Sequence, residues 1–266
     1  MRIGVNVPNF GPGTSPDVLR SWARTVEGLG FDLLMVSDHL VVTDDVAAQY
    51  PAPFYEPFTT LSWLAGVTEG ITLGTTVVVV PYRHPLALAR MAANLHRLSG
   101  GRFVLGVGVG WARREYEALG VSYSRRGALT DDALRVVREA WADPGYEVDH
   151  LPIWVGGHSP AALRRVTEHG DAWHPLHLSR EQLAEGWAAL DGPALAPRIA
   201  LRLTERPLER RRLGEGTLDQ VLDDLAWLRD LGADTTVLDP FLGDPDETRH
   251  PEVAWQALAT VRKEFR

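Results

Sequence analysis

Short apolar segments recur along the chain, and each has the length of one buried β-strand. Polar residues, glycine or proline separate each segment from its neighbours. A continuous apolar run of this kind is typical of a strand that is buried on both faces, as in a parallel sheet. Eight strands are predicted, at residues 2–7, 33–37, 72–80, 103–109, 152–155, 172–174, 199–203 and 235–238.

Segments with helical periodicity lie between these strands. Residues 16–29 place their apolar side chains on one stripe, with Ser15 as the N-cap, Pro16 at the first position and Gly30 beyond the end. Two later helices each begin with a capping box, in which side chains satisfy free backbone N–H groups. The capping pairs are Ser179 with Gln182 and Thr217 with Gln220, and the predicted stop residues are Gly192 and Gly232. Further helices are predicted at 56–68, 86–98, 131–141, 160–168 and 251–265.

Strand and helix alternate from one end of the chain to the other, without internal repeats or a long linker. This alternation predicts parallel βαβ units of the α/β class. Eight strands in 266 residues fit a single (β/α)8 TIM barrel over residues 1–266, and a doubly wound open sheet is the alternative. Because barrel enzymes bind substrates at the carboxyl ends of their strands, the residues that follow each strand are the functional candidates.

The fourth predicted strand has glycine at every second position. Gly106, Gly108 and Gly110 alternate with apolar residues, so one face of this strand has no side chains. Such a face indicates a close approach by a ligand or by another backbone. A tapering barrel interior that needs small residues is the structural alternative. A ligand on this face is the functional hypothesis.

Composition excludes several classes of function. The chain is 45% hydrophobic and 23% charged, as in ordinary globular proteins, and its net charge of −8 argues against a nucleic-acid or membrane-surface partner. It has no cysteine, and its single lysine is Lys263 near the end, so neither thiolate chemistry nor a Schiff base is expected. The first residues lack the apolar run of a signal peptide, so we expect a cytoplasmic protein.

Polar and aromatic residues follow most of the predicted strands. These strand-end residues are Asn9, Phe10, Asp38, His39, Arg83, His84, Trp111, the run Gly156 to Ser159, and His174. Histidine and carboxylate at strand ends suit proton transfer, although a single histidine is often a capped turn or a core group. No HxH or HExxH spacing occurs, so we expect no metal site.

The segment after the fifth strand has the features of an anion site. Gly156 and Gly157 are followed by His158, Ser159 and Pro160 at a predicted helix start. Backbone N–H groups at the positive end of a helix attract phosphate, and a simple N-cap at Ser159 is compatible with that role.

Taken together, these features resemble the luciferase-like monooxygenase superfamily of flavin and deazaflavin enzymes. The resemblance covers nearly the whole chain and is carried by MRIGVNVPNF, FDLLMVSDH, ITLGTTVVVVPYRHPLALARMAANLHRLSGGRFVLGVGVGW and PIWVGGHSPAALRRVTEHGDAW. It is closest to the branch that uses the deazaflavin coenzyme F420 instead of FMN.

The resemblance implies an oxidoreductase that moves a hydride between coenzyme F420 and a small organic molecule, with Asp38 and His39 at the coenzyme ring. We expect His39 to act as general acid, or as the donor that stabilises charge on the ring or the substrate, and Asp38 to orient it or contact the ring. The resemblance further implies a non-prolyl cis peptide at Thr76-Val77 behind the ring, and a homodimer. The implied coenzyme contacts are Asp38, His39, Thr76, Val77, Gly108, Val109, Gly110, Trp111, Gly156, Gly157, His158 and Ser159, with Phe10, Trp111 and His174 facing the substrate.

One departure from the family affects the expected substrate. Sugar-phosphate dehydrogenases of the family carry a glutamate where this chain has Trp111, and their phosphate-binding lysines have no counterpart here. An apolar or aromatic small molecule is therefore expected instead. Three alternatives remain open from the sequence: an FMN-dependent monooxygenase, a non-enzymatic flavin-binding protein whose Trp111 covers the ring, and a metal-dependent hydrolase barrel.

Overall fold

A computed structural model describes residues 1–265, and strands and helices alternate through it. The strands of the main sheet are all parallel. They are β1 (Arg2–Asn6), β2 (Leu33–Val36), β3 (Thr72–Thr75), β4 (Val78–Val79), β5 (Phe103–Gly108), β6 (Ile153–Gly156), β7 (Ala172–His174), β8 (Ala194–Leu195), β9 (Arg198–Ala200) and β12 (Thr235–Asp239). A separate pair consists of β10 (Arg202–Leu203) and β11 (Glu215–Gly216).

The helices occupy the segments between the strands. They are α1 (Pro16–Gly28), α2 (Asp44–Ala47), α3 (Pro57–Ala65), α4 (Pro85–Leu98), α5 (Arg113–Ala118), α6 (Arg126–Trp141), α7 (Pro160–His169), α8 (Arg180–Ala188), α9 (Leu218–Leu231) and α10 (Pro251–Glu264). Both predicted capping boxes are present, at the starts of α8 and α9. No helix within residues 1–265 is long and apolar enough to span a membrane.

The sheet has eight strand positions around the barrel, here called walls, and two of these walls consist of two short strands separated by two residues. Thr76 and Val77 interrupt the wall made of β3 and β4, and Ala196 and Pro197 interrupt the wall made of β8 and β9. The second interrupted wall pairs with β7 through β8 and with β12 through β9. Eight walls therefore form a ring, which confirms the predicted (β/α)8 fold.

The two faces of the strands pack against different parts of the protein. Outward side chains such as Ile3 and Val5 join the large core between the sheet and the helices. A second core of inward side chains, which includes Met35 and Trp154, fills the barrel. Because Met35 lies within 3 Å of an added Cβ at Gly74, glycine at that position makes room for a large neighbour.

The protein itself covers the glycine face of β5. A Cβ at Gly106 would collide with the carbonyl oxygen of Thr75, and a Cβ at Gly108 would lie 2.5 Å from Val77 Cγ2. The prediction that this face is open to a planar ligand is therefore wrong. The alternative of a close approach by another backbone is confirmed, because β3 and β4 both pair with β5 and the Thr75 carbonyl at the end of β3 lies against Gly106.

Some predicted element bounds also needed correction. The seventh strand begins at Ala194 instead of residue 199, and its central Pro197 explains why the pattern did not predict its first half. The helix α8 ends at Ala188, well before the predicted stop at Gly192, whereas Gly232 ends α9 with φ 98° as predicted.

Candidate active site

An aromatic cluster lies at the carboxyl end of the barrel. The Phe10 ring contacts Tyr50, Phe54 and Phe241, with ring centroids 4.8 to 5.5 Å apart. Tyr50 and Phe54 come from the long segment between β2 and α3. Phe10 is 1% exposed, so its predicted contact with the substrate would require the neighbouring aromatic rings to move.

His39 lies at the edge of this cluster. Its ring is 5.6 Å from Tyr50, 5.4 Å from Phe54 and 5.8 Å from Trp111, which is 43% exposed. Within residues 1–265, its Nε2 atom makes no hydrogen bond, and the atom retains some contact with solvent. His39 is 8% exposed, and this nitrogen is the ring atom without a protein partner, so a molecule at the barrel mouth can reach it there.

The other ring nitrogen of His39 is paired with a carboxylate that sequence reasoning did not identify. Glu115 Oε2 lies 2.6 Å from His39 Nδ1 and also accepts a hydrogen bond from the Tyr82 hydroxyl at 2.9 Å. Its second oxygen, Oε1, accepts from the backbone N–H groups of Leu40 at 2.6 Å and Val41 at 3.0 Å. Glu115 is fully buried.

Glu115 is held as an anion by these contacts. Burial acts to raise its pKa, but the hydrogen bonds from His39, Val41 and Leu40 outweigh that effect and lower the pKa below its ordinary value. The Tyr82 hydroxyl keeps its proton, because burial and the adjacent Glu115 raise its pKa. His39 and Tyr82 are therefore the donors at Oε2, and Glu115 is the acceptor.

Asp38 has partners of its own. The Arg83 guanidinium binds it through two hydrogen bonds of 2.6 and 2.9 Å, and the Val79 N–H donates to it at 2.9 Å. Arg83 also reaches Glu56 at 2.8 Å. The expectation that Asp38 orients His39 is thus corrected, because Glu115 holds the ring. A contact between Asp38 and a coenzyme ring stays a prediction.

The peptide bond between Thr76 and Val77 is cis, as the family resemblance implied. The Thr76 carbonyl accepts a hydrogen bond from Arg198 at 2.9 Å, and Arg198 in turn pairs with Asp239. Asp239 is also held by the Asn6 amide at 3.0 Å. A buried polar network therefore crosses the barrel beneath the cis peptide.

His174 belongs to this network and not to the accessible mouth. Its Nδ1 lies 2.5 Å from the Ala196 carbonyl, its Nε2 lies 2.9 Å from Thr76 Oγ1, and the residue is 2% exposed. Burial lowers its pKa to about 4, so it is neutral at pH 7. The expected substrate contact is not supported, because both ring nitrogens already have partners inside the barrel.

The Gly156 to Ser159 loop keeps the features of an anion site. Gly157 has φ 96°, and Gly157, His158 and Ser159 are exposed. Ser159 caps α7 by accepting from Ala162 N, as predicted. Within residues 1–265, the N–H groups of His158 and Ser159 have no protein acceptor, so they remain available to an anion.

A partly accessible apolar surface lies next to His39 through Trp111 and next to this loop through Val77, whose Cγ1 is 3.2 Å from an added Cβ at Gly156. It consists of Val77, Val109, Gly110 and Trp111, all of which are half-buried or exposed, whereas Thr76 and Gly108 are buried. Val77 and Trp111 thus leave apolar surface accessible, whereas the glycine face is covered. No group of three or more His, Asp or Glu side chains in the described part of the chain could hold a metal ion.

Comparison with known sequences identifies a family model. Residues 1–196 match the model described as luciferase-like monooxygenase. The phthiodiolone/phenolphthiodiolone dimycocerosates ketoreductase of Mycobacterium tuberculosis is 32% identical over 204 residues, which cover 64% of this chain and 53% of that protein. The chain spans about half the length of the curated ketoreductases that it matches.

Solved structures share the fold along nearly the whole chain. An F420-dependent secondary alcohol dehydrogenase, in complex with an F420-acetone adduct, aligns with a TM-score of 0.72 at 16% identity over 98% of both chains. The oxygenating constituent of 3,6-diketocamphane monooxygenase from Pseudomonas putida, in complex with FMN, aligns with a TM-score of 0.74 at 16% identity, over 99% of this chain and 97% of that chain. These alignments show the barrel architecture.

Proposed function

Because the chain belongs to the luciferase-like monooxygenase family, we propose that it is an oxidoreductase that uses coenzyme F420 to interconvert a carbonyl compound and the corresponding secondary alcohol. The observation that carries this proposal is His39 at the barrel mouth, with Nδ1 on a buried carboxylate and Nε2 open. Such a histidine is suited to exchange one proton with a bound molecule.

Coenzyme binding is assigned to the accessible residues between His39 and the α7 terminus. The N–H groups of Gly157, His158 and Ser159 would hold the anionic part, assisted by the positive end of α7. Val77 and Trp111 would contact the planar part. When bound, the reduced deazaflavin supplies a hydride.

His39 completes the reaction by supplying the proton. Reduction of a carbonyl needs one hydride on carbon and one proton on oxygen, and the imidazolium of His39 gives that proton from Nε2. The neutral ring that remains keeps its proton on Nδ1, where Glu115 accepts it. In the direction of alcohol oxidation the same Nε2 takes the proton from the hydroxyl.

An apolar or aromatic carbonyl compound is the substrate class that the mouth supports. Trp111 offers an exposed aromatic face within 5.8 Å of the His39 ring, and Tyr50 and Phe54 border the same ring. The names of two similar proteins, a ketoreductase and a secondary alcohol dehydrogenase, agree with carbonyl chemistry.

Separate titrations with oxidised coenzyme F420 and with FMN test the choice of coenzyme. Binding is followed by fluorescence, and reduced F420 is then mixed with aliphatic and aryl ketones in the absence of oxygen. We expect F420 to bind and to be reoxidised only when a ketone is present, with the secondary alcohol as product.

Other outcomes would contradict the proposal in distinguishable ways. Binding of FMN alone, with oxygen consumed when substrate is added, would identify a monooxygenase. Binding of either coenzyme without turnover across the ketone panel would favour a flavin-binding protein without enzymatic activity.

A further inference from the structure

We infer that Glu115 is the positioning residue that makes Nε2 of His39 the proton-exchanging atom. This role rests on the proposed function, because it explains what orients His39 in that reaction. It gives Glu115 no contact with the substrate. The role follows from three properties of the carboxylate: its hydrogen bonds, its burial and its attachment to the backbone after His39.

The hydrogen bonds decide which nitrogen of His39 carries a permanent proton. Three donors other than His39 converge on the two oxygens of Glu115, and its pKa is lowered, so it is a carboxylate with no proton to give. Nδ1 of His39 must therefore be the donor in the 2.6 Å contact. When the ring is neutral its lone pair is on Nε2, and when the ring is charged Nε2 holds the transferable proton.

Burial separates the task of Glu115 from that of His39. Glu115 has no exposed surface, and both of its oxygens are occupied by protein donors. A substrate in the barrel mouth cannot reach it without displacing one of these donors. Glu115 therefore acts on the reaction only through the ring that it holds, in the way that a carboxylate orients a catalytic histidine in other enzymes.

The backbone contacts fix the position as well as the tautomer of His39. Oε1 binds the N–H groups of Leu40 and Val41, the two residues that follow His39 in the chain. One side chain of α5 thus holds both the His39 ring and the segment that carries it. Rotation of the ring about χ2 would break the Nδ1 contact while the backbone remained in place.

Substitution of Glu115 by glutamine tests the assignment with a nearly isosteric side chain. An amide has one acceptor oxygen, so Glu115→Gln cannot accept from His39 and from both backbone N–H groups at once. We expect kcat to fall by about 10²-fold, the lower end of the contribution of a positioned acid or base, with KM for the carbonyl compound and affinity for F420 little changed. Glu115→Asp keeps the carboxylate and should recover part of the loss.

The matched control is Glu117→Gln on the same helix. Glu117 is exposed and makes no contact with His39. Its substitution removes the same charge from the helix, two residues away from Glu115. We expect wild-type kcat from this variant. Equal losses in Glu117→Gln and Glu115→Gln would overturn the assignment, as would a Glu115→Gln enzyme with wild-type kcat, or one in which KM rises and coenzyme affinity falls by the same factor as kcat.

A spectroscopic measurement on the wild-type protein without coenzyme tests the same assignment independently of any substitution at Glu115. Nitrogen-15 NMR of the histidine rings, with His39→Gln used to identify the His39 signals, reports which nitrogen is protonated in the neutral ring. We expect the Nδ1–H form. A neutral His39 with its proton on Nε2 would overturn the role of Glu115, even where Glu115→Gln fails to fold.

The two measurements distinguish a failure of this inference from a failure of the proposed function. An Nδ1–H ring in a protein that does not react with F420 would refute the carbonyl reaction and leave the geometry intact. Turnover with F420 by a protein whose His39 carries the proton on Nε2 would refute the role of Glu115 and leave the proposed function intact.

Discussion

His39 and His174 both lie at the carboxyl end of a barrel strand, and both use Nδ1 for a short hydrogen bond. The partner of His39 is the Glu115 carboxylate, whereas the partner of His174 is the Ala196 carbonyl oxygen. The Nε2 atom of His39 is open, but that of His174 is bound to Thr76 Oγ1. One histidine can therefore exchange a proton with a ligand, while the other supports the barrel wall.

This difference shows that the position of a histidine in the barrel does not determine its chemistry. A buried site with neutral partners favours the neutral ring of a histidine. For His174 burial lowers the pKa to about 4, and the adjacent Arg198 also opposes a positive charge. The surroundings of His39 and of His174 therefore differ in the hydrogen-bond partners of the ring and in whether Nε2 has a protein partner. Substitutions in the two regions should have different consequences.

Removal of the His39 ring should give the largest effect on the reaction. We expect His39→Ala to lower kcat by about 10²- to 10⁴-fold with little loss of F420 affinity, because a positioned acid is lost while the anion site remains. His174→Asn should cause a smaller loss in kcat. Steady-state kinetics and coenzyme titration check both, and an equal loss of turnover and affinity in His39→Ala would contradict the proposed role.

Removal of the Arg198 guanidinium should give the largest loss of stability among changes to the buried network that contains His174. Arg198→Met leaves Asp239, which is 2% exposed, without its charged partner, and breaking a buried pair costs about 3–5 kcal/mol. Urea unfolding measures the change. Arg20→Gln breaks the solvent-exposed pair with Asp17 and is the control, with an expected change below about 1 kcal/mol. Equal changes in the two variants would show that the buried network does not stabilise the barrel.

A methyl group on the covered face of β5 should have a moderate effect. Gly108→Ala brings Cβ to 2.5 Å from Val77 Cγ2, and overpacking of this kind costs about 1–3 kcal/mol. Val77→Ala in the same chain should relieve part of the cost, as a double-mutant cycle would show. Gly28→Ala meets no atom within 4 Å and should be neutral or stabilising. A neutral Gly108→Ala would mean that Val77 does not fill this space.

Acidification should give the smallest effect and act through His174. Below its ordinary pKa of 6.5 the unfolded chain binds a proton at His174, while the folded protein does not until about pH 4, so the free energy of unfolding falls as pH falls. Between pH 7 and pH 5 the wild type should lose about 1–2 kcal/mol more than His174→Asn, as measured by urea unfolding. Parallel pH profiles for the two proteins would contradict the buried neutral state of His174.

The barrel could be predicted from the sequence because burial imposes a pattern on every strand and helix. The apolar runs and the two capping boxes are local signals, and the structure places them as expected. The first half of the seventh strand was not predicted, because Pro197 interrupts the apolar pattern between β8 and β9. The short helix α5, which lies between β5 and α6, was also not predicted.

The candidate site was predictable only where its residues follow strands. His39 and the Gly156 to Ser159 loop were identified in this way. Glu115 lies 76 positions from His39 in a charged six-residue helix, and nothing in its local pattern distinguishes it from Glu117. The glycines of β5 predicted a close approach, but whether a ligand or a neighbouring wall approaches depends on contacts between distant segments.

Arg198 has a consequence for how this barrel could be rebuilt. It belongs to the seventh wall, and it binds the carbonyl of Thr76 on the third wall, at the opposite side of the ring, and Asp239 on the eighth. The backbone at Thr76 and Val77 therefore depends on contacts with distant strands. Residues 72–80 grafted from a relative would keep this shape only if an equivalent guanidinium and carboxylate were transplanted with them.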